Sequence, residues 1–584
     1  MLKTYKIAIS GQVQGVGFRP YVYSLATEKK INGTVSNNEE GVIIYLSGLE
    51  NSIRNFYTKL LQFPPPVSRI KDSSITSVEF ESFDDFKIIP SKTEGNLNLP
   101  LTPDFAICDD CKSDIKNRDN HRLNYAFTTC VNCGPRWAIT QTFPFERNHT
   151  SINNFPMCEV CKSEYTSPSD RRFHSQTNTC STCGIQLFLT DNSNNKISIL
   201  QQNLFKEIAK LLFQGNIIAI KNTSGYLLCC NAENKQVVEK LRAKKNRPRK
   251  PFAVLYPSIE VLENELNLTQ NHKKSLTSTE RPITIISSKK YRGNINLETV
   301  APGLNQLGLM LPYTGILQLL ANELDFPIIA TSGNIHGSPI ISKNDDAFEK
   351  LKHVADYFLQ HNLKIIHPQD DSVVKFSTKF NQEVLFRRSR GYAPNYLDIN
   401  MHSDEKIMAM GADLKSSIAF YPNQYLYVSQ HLGNLENFDV YNQFTSEVNS
   451  FINIFEQQPE VILIDKHPLY HSSQYGKELA QKTNAKLVEI QHHKAHFTAI
   501  LGEHNLFNKR VLGVVFDGTG FGDDKQIWGG EFFNYEVNSI ERINHFKYFD
   551  WLLGDKMSKE PRISLLALSS SEMNEILAKK FTKN

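Results

Sequence analysis

Eight of the ten cysteines fall on one template written twice, and nothing else in the chain constrains its fold as much. Cys108-x2-Cys111 is followed after eighteen residues by Cys130-x2-Cys133, and Cys158-x2-Cys161 after eighteen by Cys180-x2-Cys183. All four positions are offset by fifty residues, so the segment is an internal repeat. A CxxC turn sets two thiolates on one side of a knuckle, and two knuckles close a tetrahedral site around zinc. Scattered core thiols or redox pairs would not reproduce one spacing twice. With four protein ligands each and no open position, both zinc sites are expected to be structural. The metal then supplies folding energy that a loop-rich segment cannot draw from burial.

The two remaining cysteines, Cys229 and Cys230, are adjacent and read as core residues. Zinc thiolates without a disulfide framework indicate a reducing, cytoplasmic setting. With 584 residues the chain is too long for one core, and about three to five domains are expected. A hydrophobic content of 40% and a charged content of 22% are those of a folded chain. The net charge of +4 gives no case for bulk nucleic-acid binding. No apolar run approaches the roughly 18 residues that span a bilayer, and MLKTYKIAIS has no signal-like apolar region, so no membrane role is expected.

Near the N-terminus, Tyr5 to Ile9 alternates as a strand and runs into Ser10-Gly-Gln-Val-Gln-Gly-Val-Gly-Phe18, after which Arg19-Pro20 opens a helix. Glycines at 11, 15 and 17 let backbone amides converge on an anion, and Arg19 adds a bidentate phosphate contact. The wording GQVQGVGFRPYVYSLA, followed by Gly33-Thr-Val-Ser-Asn37 and Glu40-Gly41-Val42, resembles the acylphosphatases, ferredoxin-like domains that hydrolyse acyl phosphates. That resemblance implies that Arg19 holds the phosphate and Asn37 positions the attacking water. Residues 92 to 103, with Pro100 and Pro103, read as a linker into the zinc repeat.

Beyond a polar tract at 191–196, helix and strand patterns alternate, which argues for an α/β unit. Leu204 to Gln214 has helical spacing, and Gly215 to Ile220 reads as a buried strand. Six cations crowd residues 242 to 250, a run stiffened by Pro248 and ended by Pro251, which favours cations gathered around a triphosphate over a merely solvated face. The segments KNTSGY, LRAKKNRPRKPFAV, RPITII, APG, LGLMLPYT and TSGN together resemble the YrdC-like domain, which makes carbamoyl-adenylates from ATP. That resemblance implies nucleotide contacts from Lys221, Lys245, Arg247, Ser332 and Asn334. The unit ends in Asp370-Asp371-Ser-Val-Val and Arg387-Arg-Ser-Arg-Gly-Tyr-Ala-Pro394, as in the hydrogenase-maturation version. One departure is visible. Where that version has His-Asp-Arg, this chain reads His361-Asn362-Leu363, which removes an arginine.

In the last third, Val461 to Asp465 and Val511 to Asp517 read as buried strands ending in an acid, the second followed by Gly518-Thr-Gly520. Strand followed by Asp-Gly-Thr-Gly is how actin-like ATPase folds present phosphate-binding amides, which makes Asp517 and Gly518 candidate nucleotide contacts. Gln491-His-His-Lys-Ala-His496 sets His492 and His496 four apart on one helical face, where two imidazoles share a metal. HxxxH, DGTGFGDDKQIWGGEF, and Leu553-Gly-Asp-Lys556 with Glu560-Pro-Arg562 resemble the transferase domain of the Kae/TsaD type. A third metal, iron or zinc, at His492 and His496 follows from that resemblance.

The expected fold is multidomain, α/β and α+β: a ferredoxin-like acylphosphatase domain over 1–92, a twin four-cysteine zinc-finger segment over 104–188, and a YrdC-like domain over 198–395. The N-terminal half of an actin-like (ASKHA), Kae/TsaD-like carbamoyltransferase domain follows over 405–584. This order resembles the HypF-type carbamoyltransferases that mature [NiFe]-hydrogenases. The resemblance implies a relay in which carbamoyl phosphate is hydrolysed to carbamate and carbamate is adenylated by ATP with magnesium. The carbamoyl group then passes to the C-terminal cysteine of a HypE-type partner, which converts it to a cyanide ligand. Members of that family run beyond residue 584, and the tail after Leu568 departs from their wording, so a truncated, frameshifted or split chain is expected. Two other enzyme-level readings are a threonylcarbamoyl-type tRNA-modifying factor, separated by substrate choice, and a truncated chain retaining only partial activities; a catalytically dead remnant that folds only in its first three units is a further reading. A zinc-finger nucleic-acid binder would instead show salt-sensitive affinity and no ATP chemistry.

Overall fold

The structure is a computed structural model, and it describes residues 2–38, 41–90, 100–397, 403–554, 556–569 and 575. Most of the linker expected at 92–103, Glu40 and Asp555 of the quoted motifs, and nearly all of the tail after Leu568 lie outside the described residues. The chain divides into two compact units. One comprises residues 1–397, 414–417 and 422–457, and the other residues 398–413, 418–421 and 458–584.

The first unit opens with a five-stranded sheet in the order Arg69–Val78, Lys3–Gln12, Gly41–Gly48, Asn32–Asn38, Phe86–Ile88. Alternation along Lys3–Gln12 turns Tyr5, Ile7 and Ile9 into a core shared with Val22, Ile44 and Phe56, the last from the helix Glu50–Gln62. Ile9 pairs with Val42 and the register slips at Gly11, whose φ of +107° lets the strand peel away into the glycine loop. The loop ends at Gly17, which caps the helix Phe18–Lys29 with φ +74°.

The twin repeat has little regular structure beyond two short helices, Asp109–Asp114 and Glu159–Thr166, each starting just after the first cysteine of its repeat. A reciprocal brace related by the fifty-residue offset holds the repeats together. Arg122 donates from Nε to the Thr179 carbonyl (3.0 Å) and from its fork to Glu164 (2.7 Å from Nη1). Fifty residues on, Arg172 donates from Nε to the Thr129 carbonyl (3.1 Å) and pairs with Asp114. Each acid sits on the other repeat's helix, so each finger carries half of its neighbour's brace.

An eleven-stranded mixed sheet follows, with Ile218–Asn222, Gly225–Asn231 and Ile328–Ser332 near its middle. It starts earlier than the sequence suggests: Leu187–Asp191 pairs antiparallel with Tyr357–His361. Both faces are covered by apolar clusters, and Gly225–Asn231 feeds them alternately. Leu227 and Cys229 enter one core, Tyr226, Leu228 and Cys230 the other. Cys229 and Cys230 are therefore core residues on opposite faces.

In the second unit, Ile407–Ala409, Val461–Asp465 and Lys486–Ile490 run parallel beside the helices His471–Thr483 and His492–Glu503. A three-stranded antiparallel sheet, Val511–Phe521, Ile527–Glu536 and Ser539–His545, packs Val515, Trp528 and Phe533 onto Phe497. Here the expectation of a buried strand ending at Asp517 is corrected. The strand runs on to Phe521, and Leu512, Val514 and Phe516 are exposed on its outer side. No helix among the described residues is long and apolar enough to cross a membrane.

Candidate functional sites

The eight repeat cysteines form two clusters with no disulfide. In the first, Sγ separations are 3.6 Å for Cys108–Cys130, 3.8 Å for Cys130–Cys133 and 3.6 Å for Cys111–Cys133. In the second, Cys158–Cys180, Cys180–Cys183 and Cys161–Cys183 are 3.7, 3.8 and 3.7 Å apart. Four sulfurs about 2.3 Å from a central ion lie roughly 3.8 Å from one another, so both donor sets fit tetrahedral zinc. Guanidinium groups complete the fit. Arg171 donates to Cys111 Sγ (3.4 Å) and Arg122 to Cys161 Sγ (3.5 Å), offsetting the negative charge of a four-thiolate cluster.

Arg19 and Asn37, eighteen residues apart in sequence, line one pocket with Gly15 and Gly17. The far wall comes from the zinc segment: Val131, Arg136, Phe145, His174, Ser175 and Gln176. Glycine is what lets that wall close. A Cβ on Gly17 would lie 2.7 Å from Val131 Cγ2, and one on Gly15 would lie 3.2 Å from the Phe145 ring. Arg136 Nε donates to the Gly15 carbonyl (2.9 Å), and Gln14 Nε2 ties the loop to the Gly41 carbonyl (2.7 Å). Asn37 Oδ1 is buried without a hydrogen-bond partner. Burial works against the Arg19 charge, while Glu146 and Tyr165 favour it. A cation and an unsatisfied amide face one small space beside a helix N-terminus, the composition of an anion site.

At the C-terminal end of Ile328–Ser332 a second group assembles. Lys245 Nζ donates to the Ser332 carbonyl (2.7 Å), the Asn334 carbonyl (2.9 Å) and Asn334 Oδ1 (2.7 Å). Arg247 Nη1 donates to Thr331 Oγ1 (3.0 Å). Burial, then the charges of Arg247 and Lys250, pushes Lys245 down to about 7, and burial and Arg242 push Arg247 down to about 10. Crowded, desolvated cations of this kind gain most from a polyanion. Not all of the basic run joins in: Arg242 is spent on the Thr299 and Val300 carbonyls and stacks on Phe252. Lys221 stands apart, donating to Asn344 Oδ1 (2.7 Å) and to the His361 and Leu363 carbonyls. Tyr226 links the two groups, its hydroxyl donating to Asn344 and its carbonyl accepting from the Gly333 amide. Leu363 is fully buried in the core.

In the second unit, His492 Nε2 and His496 Nε2 are 3.2 Å apart, and Asp517 Oδ2 lies 3.2 Å from the first and 3.7 Å from the second. Asp465 holds His492 Nδ1 at 2.6 Å, which turns Nε2 toward the other two donors. The pair of carboxylates, Asp465 first, raises His492 to about 9. These donors fit a cation with two imidazoles and one carboxylate, and a divalent ion bound there would supply Lewis acidity. Asp517 therefore stands with the histidines rather than in a free phosphate loop, and the Gly518 amide is turned onto its Oδ1 (2.6 Å). The sequence reading missed Asp465 as the orienting group, although its place at a strand end was visible.

An acylphosphatase-like pocket, two thiolate clusters and a cation-rich sheet edge in one unit, with a His–His–Asp cluster in the next, define a multidomain group-transfer enzyme. Known families match in that order: Acylphosphatase over residues 5–88, HypF finger over 107–140 and 157–190, and the Sua5/YciO/YrdC family, described as telomere recombination, over 210–389. The HypF Kae1-like domain matches over 402–503, and the second subdomain of the carbamoyltransferase Kae1-like domain over 513–584. This last match runs through the tail that was expected to leave the family after Leu568. The carbamoyltransferase HypF of Synechocystis sp. is 39% identical over 97% of this chain and 73% of its own length. The probable carbamoyltransferase HypF of Methanocaldococcus jannaschii is 37% identical over 98% and 74%. Full-length HypF in its phosphate- and nucleotide-bound form superposes with a TM-score of 0.89 at 35% identity, covering 100% of this chain and 77% of that one. HypF of T. kodakarensis gives 0.87 at 35% identity over 97% and 72%. The chain belongs to the HypF carbamoyltransferases.

Proposed function

We propose that the chain hydrolyses carbamoyl phosphate in the pocket of Arg19 and Asn37 and adenylates the resulting carbamate with ATP and magnesium at Lys245, Arg247, Ser332 and Asn334. The carbamoyl group then goes to the C-terminal cysteine of a HypE-type partner, for cyanide-ligand synthesis in [NiFe]-hydrogenase maturation. The observation that carries this reading is the first pocket. A half-buried guanidinium and an unpartnered Asn37 Oδ1 face the same space, so phosphate and the attacking water each have a prepared partner. An activated acyl phosphate needs little more, because its leaving group requires no protonation. In this reading the zinc clusters are structural, Lys221 braces the sheet edge near the nucleotide, and His492, His496 and Asp517 hold the third metal of the transfer domain.

Carbamoyl-phosphate-dependent exchange of labelled pyrophosphate into ATP tests the adenylation step. Exchange is expected in the full chain and is expected to fall at least tenfold in Lys245→Met, which removes a charge-assisted contact worth about 1.5–3 kcal/mol. No exchange above background in the unaltered chain would remove the adenylation claim.

The depressed Lys245 has a pH consequence. The ammonium must be protonated to meet a phosphate, so nucleotide binding takes up a proton wherever the free enzyme has lost it. ATP affinity is expected to weaken as pH rises from about 7 to about 9, and calorimetry in buffers of different ionisation enthalpy would register the proton uptake. An affinity that strengthens with pH across that range would contradict the assignment.

A further inference from the structure

The wall that the zinc segment lends to the first pocket is unlike the same stretch of the other repeat. Shifted by fifty residues, His174, Ser175 and Gln176 correspond to Asn124, Tyr125 and Ala126. The backbone is shared: His174 has φ +54° and Asn124 φ +57°, so the same left-handed turn is made twice. The side chains part ways. Tyr125 and Ala126 are packed into an apolar core, with Tyr125 Oη bonded to Thr179 Oγ1 (3.0 Å). Ser175 lines the Arg19 pocket, and its Oγ is buried with no hydrogen-bond partner. Exposed for only 2% of its surface, it is a hydroxyl without a structural use.

The rest of the wall holds that hydroxyl in place. Gln176 Nε2 donates to the His174 carbonyl (2.9 Å), and the Ser175 amide donates to the Arg172 carbonyl (2.8 Å). Phe173 packs edge-on against Tyr23 of the helix that Arg19 opens, with centroids 5.7 Å apart. His174 is pushed down to about 4 by burial and then by Arg19, so its ring is a neutral polar surface at pH 7.

Resting on the reading of this pocket as a carbamoyl phosphate site, we infer that Ser175 and His174 form a subsite for the carbamoyl end of the substrate. The glycine loop and Arg19 take the phosphoryl group. The Ser175 hydroxyl accepts an N–H of the carbamoyl amino group, and the His174 ring covers the same end. Selectivity for a carbamoyl over a plain acyl group would thus be written in the second zinc repeat, outside the acylphosphatase-like fold.

Phosphate release by the full chain is measured with carbamoyl phosphate and with acetyl phosphate, which has no amino group, and with inorganic phosphate as competitive inhibitor. Ser175→Ala removes an unpartnered buried hydroxyl and so does not endanger the fold. It is expected to raise KM for carbamoyl phosphate roughly tenfold, the worth of one hydrogen bond. KM for acetyl phosphate and the inhibition constant for phosphate stay unchanged. His174→Asn, which the turn accepts as it accepts Asn124, is expected to lower the same selectivity. If neither variant changes the ratio of the two substrates, or if both substrates suffer equally, the subsite is wrong. Arg19→Ala separates the two levels. Full phosphate release in that variant overturns the reading of the pocket itself, whereas its loss beside an unchanged Ser175→Ala overturns the subsite alone.

Discussion

Arg19→Ala is expected to cut phosphate release from carbamoyl phosphate by about 10²–10³-fold, the range seen when one preorganised charge-stabilising donor is lost. Arg19 lines the pocket at the start of its helix, and no hydrogen bond or ion pair among the described residues occupies its guanidinium. An arginine held in that state costs stability, since burial disfavours its charge. The variant should therefore melt no lower than the unaltered chain while losing activity, a combination that simple unfolding cannot produce. Arg19→Lys keeps the charge but not the planar fork, so it should recover only part of the rate. Undiminished release in Arg19→Ala, followed with a phosphate dye, would remove the first chemical step from this pocket.

What the sequence discloses about these sites follows from how local each signal is. The eight cysteines are legible because CxxC is a turn, and the turn repeats. Arg19 is legible because the strand, glycine loop and helix that present it are contiguous. Lys245 and Asn334 are not contiguous, and only the family wording brings them together in advance; the structure adds that the link is direct, through two bonds from one ammonium whose third goes to the Ser332 carbonyl. Ser175 and His174 are not legible at all. Their meaning depends on facing Arg19 from more than 150 residues away, and on comparison with a repeat partner that faces elsewhere. Asp-Gly-Thr-Gly shows the same limit of a local signal. Its spacing fits a phosphate loop, yet Asp517 is claimed by His492 and His496, which arrive on a separate helix. The strand before it reads as buried because Leu512, Val514 and Phe516 are apolar, but alternation sends these three to the outer side while Val515 faces the core.

The reciprocal brace yields the other large effect, and it is crossed. Arg122 belongs to the first repeat by sequence, but its partners Glu164, Asn178, the Thr179 carbonyl and Cys161 Sγ all belong to the second. Its side chain is fully buried, so Arg122→Ala leaves Glu164 uncompensated, at a cost of about 3–5 kcal/mol. It also strips a donor from the second four-thiolate cluster, which then carries its negative charge with less support. A substitution in the first finger is therefore expected to release zinc from Cys158, Cys161, Cys180 and Cys183 while Cys108, Cys111, Cys130 and Cys133 keep theirs. Titration with a chromogenic chelator should resolve one fast and one slow equivalent of zinc. The mirror change, Arg172→Ala, should be milder. The first cluster has a second supporter in Arg171, which reaches both Asp114 and Cys111 Sγ, while position 121 in the first repeat offers only a histidine, 3.5 Å from Glu164. Zinc lost from the first cluster in Arg122→Ala, with the second intact, would show that each finger stands on its own residues.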